Sequence, residues 1–124
     1  MTVRPVDILV RLEWAAVFVA TTVLYWWLGA SWWLFALLIL APDLSMVGYL
    51  AGPRVGAIVY NVFHASIGPL ALAAAGLAFG LTWAFAVATI WLAHIALDRT
   101  LGYGLKLATG FTDTHMGPIG AARR

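Results

Sequence analysis

The chain contains no cysteine, so disulfides and thiolate metal sites are excluded, and no redox compartment can be read from it. Charge is nearly as scarce. Only 10% of the 124 residues are Asp, Glu, Lys or Arg, while 64% are hydrophobic. A soluble domain averages about 45–50% apolar and about 25% charged, so this chain could not cover itself with a polar surface. Its formal net charge of +2 is too small to serve a nucleic-acid surface. Long linkers and low-complexity segments are missing too, which leaves one domain over residues 1–124. The N-terminal MTVRPVDILVRLEW lacks a small-residue cleavage site behind a short apolar core, so it is expected to be retained.

Long apolar runs are what remains. A membrane helix needs about 20 mostly apolar residues. Four segments qualify, at about 9–28, 31–50, 55–79 and 82–101, followed by a tail over 102–124. The breaks LGAS, AGPR and FGLT are short and turn-forming, and short connections make antiparallel neighbours. The predicted fold is therefore all-α, an integral membrane four-helix up-down bundle. The basic residues Arg4, Arg11, Arg54, Arg99, Lys106, Arg123 and Arg124 lie at the N-terminus, in the second connection, or at and beyond the end of the fourth segment. The positive-inside rule then puts both termini in the cytoplasm, in a bacterial inner membrane. Tyr25, Trp26, Trp27, Trp32, Trp33 and Trp83 gather at the opposite ends, as an interfacial belt. Small residues at spacing four (Gly48, Gly52, Gly56; Gly76, Gly80) read as close packing or turns rather than a dimer face.

Against this background the ionisable residues inside the spans stand out: Glu13, Asp43, His64, His94 and Asp98, with at least one on every helix. At about 1.5 Å rise per residue all fall in the cytoplasmic half, Asp43, His64, His94 and Asp98 at similar depth and Glu13 shallower. A carboxylate near mid-bilayer costs at least about 2.5–3.5 kcal/mol, so such groups face the bundle and find partners. His94 and Asp98, four apart, share a helix face, as do Tyr60, Asn61 and His64. Pro42, and Pro69 after Gly68, interrupt helices near the same depth and free carbonyls there.

Two imidazoles and two carboxylates suit zinc or a comparable divalent ion with a position open for water. The metal candidates are thus Asp43, His64, His94 and Asp98. Glu13 is the candidate general base, and Arg99, pointing about 100° from Asp98 towards the headgroups, is the candidate phosphate partner. Singly, each residue also has a structural reading: a packed histidine, a capping Asp43, an Asp98–Arg99 helix end. In the tail, Asp113 and His115 read as loop residues, or as a lid folded back on the site.

The stretches APDLSMVGYLAGPRVGAIVYN, WLAHIALDRTLGYGLK and GFTDTHMG resemble domain-of-unknown-function family 4260, a family of small bacterial membrane proteins. More remotely, the order Pro-Asp, His-x-Ser, His-x-x-x-Asp resembles membrane-bound metal-dependent hydrolases of the LexA-regulated type. That resemblance implies polar-site roles for Asp43, His64, His94 and Asp98. The chain departs from it at Asn61, Val62 and Phe63, where a further histidine and arginine are expected, and at Glu13, where a histidine is expected.

Four functions stay open: a divalent-metal hydrolase of lipid-borne esters or phosphoesters, an accessory subunit binding lipid, pigment or partner helices (its own copies included), a haem protein using His64 and His94, and a small transporter. Whether the chain is an enzyme is not decided by its sequence. Its partners are membrane lipids in every case.

Overall fold

In a computed structural model, residues 4–117 are described. Arg123 and Arg124, the last two basic residues of the topology argument, lie outside them. Helix α1 spans Pro5–Leu28 and starts where Asp7 accepts the backbone N–H of Arg4 (3.1 Å) and pairs with its guanidinium. The second span is α2, Trp32–Leu38, continued by a 3-10 segment, Ala41–Ala51. The third is α3, Pro53–His64, and α4, Ile67–Phe79; the fourth is α5, Thr82–Leu101. These make four spans long and apolar enough to cross a membrane, Pro5–Leu28, Trp32–Ala51, Pro53–Phe79 and Thr82–Leu101. The all-α expectation holds.

α5 is the axis of the bundle. α1 and α4 pack along it, the 3-10 segment packs on α3, and α5 holds more buried residues than any other element. The outward faces of α1, α2 and α4 are large apolar side chains, as lipid contact requires. The small residues are used within the chain. A Cβ on Gly56 would collide with the Tyr49 ring, and one on Gly68 would lie 2.6 Å from Trp91.

The two middle spans depart from straight helices, and prolines explain both breaks. Pro42 brings no N–H to the ladder, and Asp43 N–H turns back to Leu40 O (3.1 Å), which leaves the Ile39 carbonyl without its helical donor. In the third span the chain becomes extended at Ala65, and Gly68 N–H reaches Ala65 O (3.4 Å) rather than His64 O. The carbonyl of Phe63 is met by Trp91 Nε1 (2.6 Å). A 3-10 run of 11 residues is unusually long, and such runs often mark functional segments.

The tail also differs from a plain loop. β1, Lys106–Leu107, and β2, Gly110–Thr114, form an antiparallel hairpin that packs on α3.

A four-residue metal-type centre at the helix breaks

The two breaks and α5 converge on one point. Asp43, the third residue of the 3-10 segment, His64, the last of α3, and His94 and Asp98 of α5 each present a ligand-type atom, all within 4.8 Å of one another. His64 Nε2 lies 3.1 Å from His94 Nε2 and 3.2 Å from Asp43 Oδ1. His94 Nε2 lies 3.2 Å from both Asp43 Oδ1 and Asp98 Oδ2, and His64 Nε2 is 3.5 Å from Asp98 Oδ2. A tetrahedron with metal–ligand bonds of about 2.0–2.1 Å has edges of about 3.3–3.4 Å, so five of the six edges have the right length.

The outer nitrogens set the protonation. His64 Nδ1 is 2.8 Å from Tyr60 O, and His94 Nδ1 meets the Ile39 carbonyl that Pro42 freed. A carbonyl only accepts, so both Nδ1 atoms carry hydrogen, and in the neutral rings both Nε2 atoms are lone pairs. Two lone pairs at 3.1 Å repel unless a cation or an extra proton lies between them. This arrangement, with Nδ1–H on a carbonyl and Nε2 turned inward, is the one metal-binding histidines adopt. Tyr60 stacks on His64 (3.7 Å between centroids, 5° between planes) and directs its hydroxyl at Asp98 Oδ2 (3.5 Å).

Access is one-sided. The histidine side chains are at most 2% exposed, Asp98 is 13% exposed and Asp43 33%. The carboxylates, not the imidazoles, line a cavity of about 280 Å3 with Tyr60, Met46, Tyr103, Lys106 and Phe111. On the same ligand-bearing turns lies an apolar crevice of about 180 Å3, lined by Leu38, Pro42, Phe63, Val87, Ile90 and Trp91.

The structure corrects two placements. Arg99 does not point to the headgroups: it is 4% exposed, and its guanidinium donates to the freed His64 carbonyl (2.8 Å) and to Tyr103 O (3.1 Å). The third-span break creates a buried acceptor there, and the fork of Arg99 satisfies it. Glu13 is not brought to the four. It is exposed on α1, whereas its neighbour Trp14 turns inward beneath Arg99 (5.8 Å to the ring), and Arg11 Nε donates to Thr100 O (2.7 Å). The haem alternative fails on geometry, because 3.1 Å between the Nε2 atoms leaves no room for a macrocycle between them.

Lys106, read from the sequence only as a basic residue of the tail, also reaches the site. Asn61, expected to share the site face, instead brackets the Lys106 backbone, accepting from its N–H (2.6 Å) and donating to its carbonyl (2.8 Å). Lys106 is 4% exposed, and its ammonium sits over the rings of Phe111 (3.8 Å) and Tyr60 (4.9 Å). Burial draws that ammonium below the ordinary lysine range, and Asp98 and Asp43 pull it back up. His115 fixes the hairpin rather than the centre: its Nδ1 accepts from Leu105 N–H (2.8 Å), and its own N–H donates to Leu105 O (3.0 Å). Neither His115 nor Asp113 belongs to the four-residue group. The Gly102-Tyr103-Gly104 stretch before the hairpin was the available signal, since a Cβ on Gly104 would lie 2.6 Å from His115 Nδ1.

Comparison with known proteins gives the family. The chain belongs to the family described as Domain of unknown function (DUF4260), whose sequence model matches residues 7–119. No curated protein and no solved structure matches the chain, so the remoter likeness to membrane-bound hydrolases rests on residue order alone.

Proposed function

We propose that this member of the family is a membrane-embedded divalent-metal hydrolase that cleaves lipid-borne esters or phosphoesters from the cytoplasmic side of a bacterial inner membrane. The facing Nε2 lone pairs of His64 and His94, 3.1 Å apart between two carboxylates, carry the reading. A zinc-like ion held by His64, His94, Asp98 and Asp43 would turn that repulsion into ligation and match the charge of the two acids. Asp43, the most accessible of the four, would also be placed to take the proton of an attacking water and return it to the leaving oxygen, the role Glu13 is too far outward to fill. Such an ion, when bound, would lower the pKa of a water molecule towards neutrality and so would supply a nucleophile. The polar cavity takes the scissile group and the apolar crevice beside it takes the start of an acyl chain.

Metal analysis of the purified chain tests this. Wild type is expected to hold about one zinc-like ion per chain after metal-replete purification and dialysis, and the His64→Ala, His94→Ala double variant none. A wild type that binds no divalent ion would overturn the hydrolase and leave a non-enzymatic accessory subunit, with the four residues as a hydrogen-bonded polar seam.

A further inference from the structure

Lys106 is a buried cation without a close counter-ion. Among the described residues its ammonium makes no hydrogen bond or ion pair, only the two ring contacts, yet it lines the same cavity as Asp43 and Asp98. A lysine this buried ordinarily has a partner. The surrounding charges say when the partner is missing. Without metal, Asp43 and Asp98 supply two negative charges to the cavity, and Lys106 offsets part of them. With a divalent ion on the four ligands the carboxylates are neutralised, and Lys106 is left as a net positive charge facing the cavity. Arg99, which is not among the residues lining the cavity, donates from Nη1 and Nη2 to two backbone carbonyls and adds positive charge nearby.

The fold invests much in placing that one ammonium. Asn61 clamps the Lys106 backbone from both sides, Phe111 comes across from β2 to cover the ammonium, and Tyr49 supports Phe111 edge-on at 5.3 Å. The hairpin thus supplies part of the cavity wall and brings a cation into the lining that Asp43 and Asp98 share.

We propose that Lys106 binds the phosphoryl oxygens of the substrate, so that the ester cleaved at this centre is a phosphate ester with a small anionic headgroup. The proposal rests on the metal reading above and narrows it from esters in general to phosphoesters. An ammonium in the same cavity as a metal ion would give the phosphoryl group two positive contacts, one on the reacting oxygen and one on a spectator oxygen. A carboxylic ester offers no spectator anion for the lysine. A cavity of about 280 Å3 is at the small end of ligand sites, which fits a terminal phosphate better than a bulky headgroup.

The test is phosphate binding by the zinc-loaded full chain, followed by phosphorus NMR and titration calorimetry. In detergent the probe is inorganic phosphate. In phosphatidylcholine nanodiscs the probe is added phosphatidic acid. Zinc content is measured in parallel on every sample. Lys106→Met is expected to keep its zinc and lose at least about tenfold in phosphate affinity, the usual size of one charge-assisted hydrogen bond, and Lys106→Arg to restore it. Wild type alone supplies a second criterion that needs no variant: phosphate should bind the zinc form more tightly than the metal-free form. A response to phosphatidic acid in the nanodisc assigns the phosphate to a lipid, and a response to inorganic phosphate alone assigns it to a soluble phosphoryl group; both support the lysine. Equal phosphate affinity in wild type and Lys106→Met, or in zinc and metal-free wild type, would overturn the proposal while the measured zinc leaves the metal reading standing. Absence of zinc from wild type would overturn the metal reading itself, and this inference with it.

Discussion

His94 Nδ1 hydrogen-bonds the carbonyl of Ile39, the acceptor that Pro42 removes from the helix ladder three residues later. One proline therefore orients a histidine on another helix. With Pro42→Ala the helix can continue, Asp43 N–H can reclaim Ile39 O, and both Asp43 and the His94 ring would shift. Losing such an outer hydrogen bond costs metal sites about 10–100-fold in affinity. Competition titration with a zinc chelator should show a loss of that size in a variant that stays folded. Unchanged affinity would mean the Ile39 contact does not orient the ring.

Asp98→Asn separates ligation from structure. The amide keeps the shape of the carboxylate but not the charge that offsets a divalent ion. Zinc affinity should fall at least about tenfold while the melting temperature of the metal-free protein barely moves, since membrane hydrogen bonds average about 0.6 kcal/mol. A lowered melting temperature with metal content unaltered would mark the His94–Asp98 pair as structural.

Arg99 has the opposite profile. Its guanidinium satisfies the His64 and Tyr103 carbonyls in the bundle interior, so Arg99→Ala leaves buried acceptors unmet at about 1–3 kcal/mol. The metal-free protein should melt several degrees lower, and the hairpin should become the first site of limited proteolysis. Zinc affinity should change less than in Asp98→Asn. A variant as stable as wild type would contradict the role assigned to Arg99.

The hairpin should loosen in acid. His115 Nδ1 accepts the Leu105 N–H, so protonating it breaks that bond, and burial together with Arg99 holds the ring below the ordinary histidine range. Because the folded value is depressed, the unfolded form takes up the proton first. The contribution of His115 is full above about pH 6.5 and falls as pH drops below it towards the folded value. Amide exchange at Leu105 and Lys106 should therefore accelerate on acidification through that range, and the acceleration should be absent in His115→Ala. Exchange that ignores pH beyond its intrinsic dependence would show that the ring does not hold the strand.

Sidedness is an expectation that rests on the basic residues alone. A reporter fused after Arg124 is expected to be active in the cytoplasm and silent on the far side. Periplasmic activity would reverse the whole arrangement, lysine and cavity included.

Spans, fold class and the four polar residues at shared depth were legible in the sequence because each is a one-dimensional property. Hydropathy over about 20 residues makes a span, rise per residue gives depth, and i to i+4 spacing puts His94 beside Asp98. Even the freed carbonyls were foreseeable from Pro42 and Pro69. Which donor would reach each one was not. That His94 takes Ile39 O and Arg99 takes His64 O depends on how α5 packs against two broken helices, and no local pattern encodes it. Arg99 was expected to point outward because helical angle was measured on an isolated helix, whereas an unsatisfied carbonyl on α3 draws it in. Glu13, expected to lie shallower than the others, is also off their face of the bundle. Lys106 lay beyond the last span, where hydropathy says only that a residue is soluble. Its burial over Tyr60 and Phe111 arises from a hairpin folding back on α3, a contact between distant parts of the chain that the tertiary structure alone decides.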